Sequence, residues 1–210
     1  YAKDDLTING TGSLSITSAS QNGIHGTNDV IILNSTVSVT SDKDGIKGKD
    51  CVILQDADIT VLSSNDGIQS TNSTEQGKGY IAIDGGQIEV TAGLDGIQAE
   101  TQVLITDGDL SITAGRFASN DASGKGIKAV LDLTIEGGNI DVYSLSDDTL
   151  HSNGTLTISG GNIALEAGDD GIHADKAITI NAGDIQISQS YEGIESAKIT
   201  INDGTIRVNS

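Results

Sequence analysis

Apolar and polar positions alternate along this chain in short runs, and no stretch settles into the spacing of a helix. Runs of one kind are Ala177-Ile178-Thr179-Ile180, Thr155-Leu156-Thr157-Ile158 and Val103-Leu104-Ile105. A second kind follows a Gly-rich corner, as in Gly161-Asn162-Ile163-Ala164-Leu165, Gly138-Asn139-Ile140-Asp141-Val142 and Gly86-Gln87-Ile88-Glu89-Val90. A two-residue period over such lengths predicts strands. A third landmark is Gly-Ile or its equivalent, at Gly23-Ile24, Gly45-Ile46, Gly67-Ile68, Gly96-Ile97, Gly126-Ile127, Thr149-Leu150, Gly171-Ile172 and Gly193-Ile194. The steps between these Ile/Leu positions are 22, 22, 29, 30, 23, 22 and 22 residues. The two long steps contain insertions, at 71–79 and 115–124, and removing them restores the period.

Three short strands per period, separated by Gly, Asp and Asn corners, make one coil of a parallel β-helix. One coil cannot bury its own apolar face, but stacked coils about 4.8 Å apart align their Ile, Val and Leu into a continuous interior. The expected architecture is all-β: a single right-handed parallel β-helix of about eight to nine three-strand coils over residues 1–210. At about 4.8 Å per coil the rod would be roughly 40 Å long. A β-propeller is excluded, because its blades need about 40 residues and four antiparallel strands each.

Composition narrows the interior and the partners. The chain has one Phe, no Trp, no Met and no Pro, but 27 Gly. A core of small branched side chains suits a thin, regular interior, with Gly at its corners. The formal charge of −19 argues against nucleic acid, which needs a basic footprint. It argues equally against an anionic membrane surface, and no apolar stretch is long enough for a transmembrane helix. So large an excess repels itself unless cations bind or the charges stay solvated. The single cysteine, Cys51, opens the strand-like run Cys51-Val52-Ile53-Leu54 and is expected to pack rather than react. Beginning at Tyr1, the chain reads as a trimmed segment whose first residues say nothing about export.

Stacking turns each sequence column into a physical row. Directly before Gly-Ile the column reads Asn22, Asp44, Asp66, Asp95, Lys125, Asp148, Asp170, Glu192. One position earlier stand Asp147 and Asp169, so Asp147-Asp148 stacks on Asp169-Asp170 with Glu192 on the following coil. Carboxylates at about 4–6 Å repel unless a cation intervenes, and hard oxygen ligands of this kind suit Ca²⁺. An Asp-Gly can also simply cap its own turn. The metal reading is therefore placed first on Asp147, Asp148, Asp169, Asp170 and Glu192, and second on Asp44, Asp66 and Asp95, the last with Asp121 folding back from its insertion.

After the Ile comes an outward column: His25, Lys47, Gln69, Gln98, Lys128, His151, His173, Glu195. It forms a long polar strip whose hydrogen-bonding groups repeat at regular intervals. Such a strip is either an ordinary solvated face or a match for a repeating polymer. Carbohydrate contacts are expected from Lys47, Gln69, Gln98, Lys128, His151 and His173, with Tyr143 and Tyr191 as the stacking aromatics. His151 above His173 also has the look of a transition-metal pair. No Ser/His/Asp or Cys/His arrangement is recognisable. Lyase chemistry on a uronic-acid polymer would need a base near the sugar C5 proton, and Lys128 or Lys47 could supply it.

The repeat written as Asp170-Gly171-Ile172-His173-Ala174 and Ser159-Gly160-Gly161-Asn162-Ile163 resembles a family of secreted carbohydrate-binding β-helix proteins from cellulose-degrading bacteria. That family is similar in fold to pectate lyases, and the resemblance covers nearly the whole chain. It implies Ca²⁺ as cofactor, cellulose and acidic plant sugars such as polygalacturonate as partners, and a secreted or cell-surface location. It also implies no clear lyase activity. Only the acidic pairs are carried over, as Ca²⁺ candidates. Bound Ca²⁺ would bridge protein and uronate carboxylates that otherwise repel. The leading expectation is a monomeric, non-catalytic, calcium-binding polysaccharide binder. Its rivals are a calcium-dependent pectate-lyase-like enzyme and a structural or adhesin stalk.

Overall fold

The structure, a computed structural model, describes residues 1–116 and 124–209. The described residues are all-β, with 23 strands and no helix. Eight strands of three residues each, from Ile24–Gly26 to Ile194–Ser196, form one sheet in which every neighbouring pair is parallel. In it Ile24, Ile46, Ile68, Ile97, Ile127, Leu150, Ile172 and Ile194 stand directly above one another. The other 15 strands form the second sheet, whose main path has nine members. The chain is a parallel β-solenoid of about nine turns, as the repeat predicts.

Three coils depart from three separate strands. Cys51–Ser63, Tyr80–Ala92 and Gln102–Ala114 each run 13 residues through the second corner without a break. Parallel pairing continues on both sides of the bend, at Gln55↔Asp84 and Ala57↔Gly86, so the ladder holds the corner in strand form. The bend itself uses left-handed backbone at Asp56 (φ 48°), Gly85 (φ 80°) and Gly86 (φ 85°). A Cβ on Gly86 would lie 2.2 Å from the Ala57 carbonyl oxygen, so only glycine fits there.

Each coil feeds the interior from all three sides. The coil holding Ile46 adds Val52, Leu54, Ile59 and Val61, all buried. Fully burying such a side chain is worth about 1.5–3 kcal/mol. Among the described residues the ladder opens at its two ends, where Leu14, Ile199, Ile201 and Val208 are exposed. Cys51 is buried, and burial with the neighbouring Asp29 pushes its thiol up to about 12, which keeps it an inert packing residue.

The insertion at 71–79 is tied to the preceding coil. Asn72 donates to Asp50 Oδ1 at 2.6 Å, and its own Oδ1 accepts the Thr74 and Glu75 amides. Lys78 joins Asp50 and Glu75 at 2.9 and 2.8 Å. Within the insertion at 115–124, residues 117–123 lie outside the described residues, and with them the suggested contribution of Asp121.

Candidate functional site

The acidic column and the outward strip are one interlocked surface. Asp66, Asp148 and Asp170 each make two contacts, and Asp95 and Asp44 one of the two. In the first, Oδ1 accepts the backbone N–H of the equivalent residue on the next coil: Asp66 from Asp95 at 3.1 Å, Asp95 from Lys125 at 2.8 Å, Asp148 from Asp170 at 3.1 Å and Asp170 from Glu192 at 3.2 Å. In the second, Oδ2 meets the strip residue three positions on. Lys47 reaches Asp44 at 2.8 Å, Gln69 bonds Asp66, His151 Nδ1 lies 2.7 Å from Asp148 and His173 Nδ1 lies 3.2 Å from Asp170. A Gly-Ile step, or Thr149-Leu150 in its place, separates residue i from residue i+3.

One cationic coil divides the column into two acidic blocks. Lys128 reaches back to Asp95 at 3.3 Å, while Lys125 reaches forward to Asp147 and, at 3.3 Å, to Asp148. The first block is Asp44, Asp66 and Asp95, with Lys47 at one end and Lys128 at the other. Its central member is bonded by the Asp95 backbone amide and by Gln69 Nε2. Burial, then Asp95 and Asp44, push the Asp66 carboxyl up to about 7. The folded chain therefore holds that proton more tightly than the unfolded chain. Asp66 costs stability progressively as pH rises from its ordinary range to about 7, and the cost persists above that.

A substitution tests this. Asp66→Asn keeps an oxygen for the Asp95 amide and removes the buried charge, while the Gln69 side-chain amide, whose Nε2 donates to Asp66, must turn to present its unpartnered Oε1. Urea denaturation in chelator should show the variant more stable than the native chain by about 2 kcal/mol at about pH 8, with the gain vanishing near pH 4. A loss of stability at the higher pH would contradict it.

The second block opens as a cleft of about 410 Å³. It is lined by Asp147, Asp148, Asp169, Asp170, Glu192 and Glu195 with Lys125, His151, His173 and Tyr191. Asp148 and Asp170 are buried, whereas Asp169 and Glu192 are exposed. Ligand atoms of Asp147, Asp148 and Asp169 lie within 4.8 Å of one another. Burial and then Asp170, Asp148 and Asp147 raise the Asp169 carboxyl above its ordinary value. Burial also raises Asp170; the His173 hydrogen bond opposes this, while Glu195 and Asp148 add to it. Burial pushes Asp147 and Asp148 upward too, but their bonds to Lys125 and His151 win and hold both low. Crowded carboxylates whose protons are held this way favour a bound cation.

The residues fit a hard divalent ion. Three carboxylates converge, as Ca²⁺ coordination requires, and Asp169 and Asp147 are open enough to leave ligand positions for water or a sugar oxygen. Lys125 is the built-in competitor, since its ammonium already bridges Asp147 and Asp148.

The sequence-predicted residues divide accordingly. Asp147, Asp148, Asp169, Asp170, Glu192, His151, His173 and Tyr191 come together in the cleft. Asp44, Asp66 and Asp95 form the separate block, with Lys47, Gln69, Gln98 and Lys128 beside them; Gln69 donates to Gln98 at 2.8 Å and Gln98 to Glu100 at 2.9 Å. Tyr143 stands apart, facing outward on strand Asn139–Ser144 between Thr113 and Glu166. The strip is less open than a solvated face, because Gln98 and His151 are buried. Sequence reasoning missed Lys125 as a partner of the doubled Asp and missed Glu195 in the cleft. The signal was there: each stands in a column already singled out, one coil from its partner.

Comparison with known proteins places the chain. Residues 1–171 match the family described as carbohydrate-binding domain-containing proteins, and the chain belongs to that family. A relative with the same description, from Acetivibrio thermocellus, is 47 % identical over 115 residues, 55 % of this chain. The matched stretch spans 40 % of that relative's length. A solved structure described as the polysaccharide lyase-like protein from C. thermocellum, gadolinium derivative, shares the fold with a TM-score of 0.63. It is 18 % identical, with 98 % of this chain and 91 % of that chain covered.

Proposed function

We propose that this chain is a non-catalytic polysaccharide-binding protein that takes its polymer through Ca²⁺ held by Asp147, Asp148 and Asp169. The observation that carries the reading is the open carboxylate cleft, with exposed Tyr191 at its edge. Family membership supports a carbohydrate partner. A chain of charge −19 repels an acidic polymer, and Ca²⁺ shared between protein and uronate carboxylates removes that repulsion. Polygalacturonate is accordingly the favoured polymer, and neutral cellulose the second. Such polymers lie outside cells, so the protein works secreted or at the cell surface.

A lyase reading has less support. Lys47 and Lys128, the candidate bases, are both ion-paired to carboxylates, at 2.8 and 3.3 Å, and neither amine stands free beside a substrate path.

Retention by polygalacturonate gel should require Ca²⁺, disappear in chelator and weaken at least about tenfold in Asp169→Asn. Retention by cellulose regardless of Ca²⁺ would assign the neutral polymer. Unsaturated product from polygalacturonate, lost in Lys128→Ala, would replace binding with catalysis.

A further inference from the structure

A His–Asp contact alone carries little weight on this surface, since Lys47–Asp44 and Gln69–Asp66 make the same three-residue contact. The two histidines differ from these because they stand on successive coils in direct register, His151 against His173. Parallel pairing fixes their Cα atoms about one strand spacing apart. The rings stack with centroids 5.0 Å apart and planes at 27°. Asp148 holds one ring through Nδ1, and Asp170 with Glu195, at 2.9 Å, holds the other. His151 is buried and His173 half-buried, so neither ring sweeps freely through solvent. Ligand atoms of Asp148, His151 and His173 lie within 4.8 Å of one another.

We propose that His151, His173 and Asp148 form a binding site for a borderline divalent transition metal of the Zn²⁺ class, which shares Asp148 with the carboxylate site for Ca²⁺. Imidazole nitrogens select Zn²⁺, Cu²⁺ and Ni²⁺, whereas Ca²⁺ takes oxygen ligands alone. Bonds of about 2.0–2.1 Å to zinc put tetrahedral ligand atoms about 3.3 Å apart, so small side-chain rotations close this set. Three protein ligands leave one position for water or another oxygen ligand. Asp170 and Glu195, outside the ligand set, already hold the His173 ring in place, as the outer partners of metal-binding histidines commonly do. An ion here would clamp two coils together at the cleft. The inference does not depend on carbohydrate binding, and through the shared Asp148 a bound Ca²⁺ would compete with this ion. His25 provides an internal control: it occupies the same column, but its register partner is Lys47 and its ring meets Tyr1 instead of a second imidazole.

Calorimetric titration of the tag-free chain with Zn²⁺, in Ca²⁺-free buffer, tests the site. One Zn²⁺ per chain should bind, and His173→Gln should weaken it at least about tenfold. His25→Gln should leave Zn²⁺ binding within about twofold of the native chain. Co²⁺ gives a readout free of any variant: intense visible bands are expected for a four-coordinate, histidine-ligated ion. Equal Zn²⁺ affinity in His173→Gln, absence of Zn²⁺ binding to the native chain, or only the weak Co²⁺ bands of an all-oxygen octahedral site would each overturn the proposal.

Discussion

Gly96→Ala should cost about 3 kcal/mol or more of folding stability, and Ile112→Leu in the same chain should return part of it. A Cβ on Gly96 would lie 2.4 Å from Ile112 Cγ2 and 2.6 Å from the Gly126 carbonyl oxygen of the next coil. Neither can move without opening the core or the ladder, where Ile97 N–H bonds that same carbonyl at 2.9 Å. The same approach recurs at Gly23, Gly45, Gly67 and Gly126, each against a γ-methyl of a valine.

Thr149 is the informative exception. It occupies the glycine position of its coil, and there the third strand brings Leu165, in register with Val142, instead of a β-branched residue. Leucine branches one carbon later and leaves room for a Cβ. The Thr149 hydroxyl donates to the Gly171 carbonyl, and the adjacent ladder bond from Leu150 lengthens to 3.2 Å, against 2.8–3.0 Å at its equivalents elsewhere. Gly96→Ala and Gly96→Ala/Ile112→Leu compared by urea denaturation check the coupling. Additive effects would show that the pairing of Thr149 with Leu165 is incidental.

Asp148→Ala should be the most costly change in the cleft, at about 3–5 kcal/mol near neutral pH. The carboxylate is buried and serves three groups: the Asp170 amide, His151 Nδ1 and the Lys125 ammonium. Removing it leaves the half-buried Lys125 ammonium short of one partner and orphans a coil-to-coil amide. Asp148→Asn retains an oxygen for that amide and should cost less than half as much. The pH dependence follows from the direction of the shift. Although burial pushes Asp148 up, His151 and Lys125 hold it below its ordinary value, so its contribution is complete above the unfolded carboxylate range and fades as pH falls through the folded value. The difference between native and Asp148→Ala chains should therefore shrink in strong acid. A difference independent of pH would contradict the ion-paired account.

Much of this was legible in the sequence because a solenoid writes its register as a period. The spacing of the Ile column alone places Ile46 over Ile68 and Ile97, and the insertion at 71–79 does fall between strands. What the period does not encode is side-chain direction. Lys125 breaks the acidic column in the sequence, yet only its reach to Asp147 and Asp148 reveals that it supplies the charge those carboxylates lack. The pairing of Asp44, Asp66, Asp148 and Asp170 with residue i+3 was likewise hidden, since it depends on side-chain direction at the corner. The unbroken corner of Cys51–Ser63 was unreadable for a related reason: Asp56 takes a left-handed backbone that its residue type does not demand.

The central claim is that the cleft around Asp147, Asp148 and Asp169 joins protein to polysaccharide through Ca²⁺. Affinity electrophoresis through gels containing polygalacturonate, run with Ca²⁺ and with chelator, tests it most directly. The account predicts strong retardation with Ca²⁺, loss of it in chelator, and loss of most of it in Asp169→Asn with folding intact. Equal mobility in every gel, or retardation unchanged in chelator and in Asp169→Asn, would contradict it.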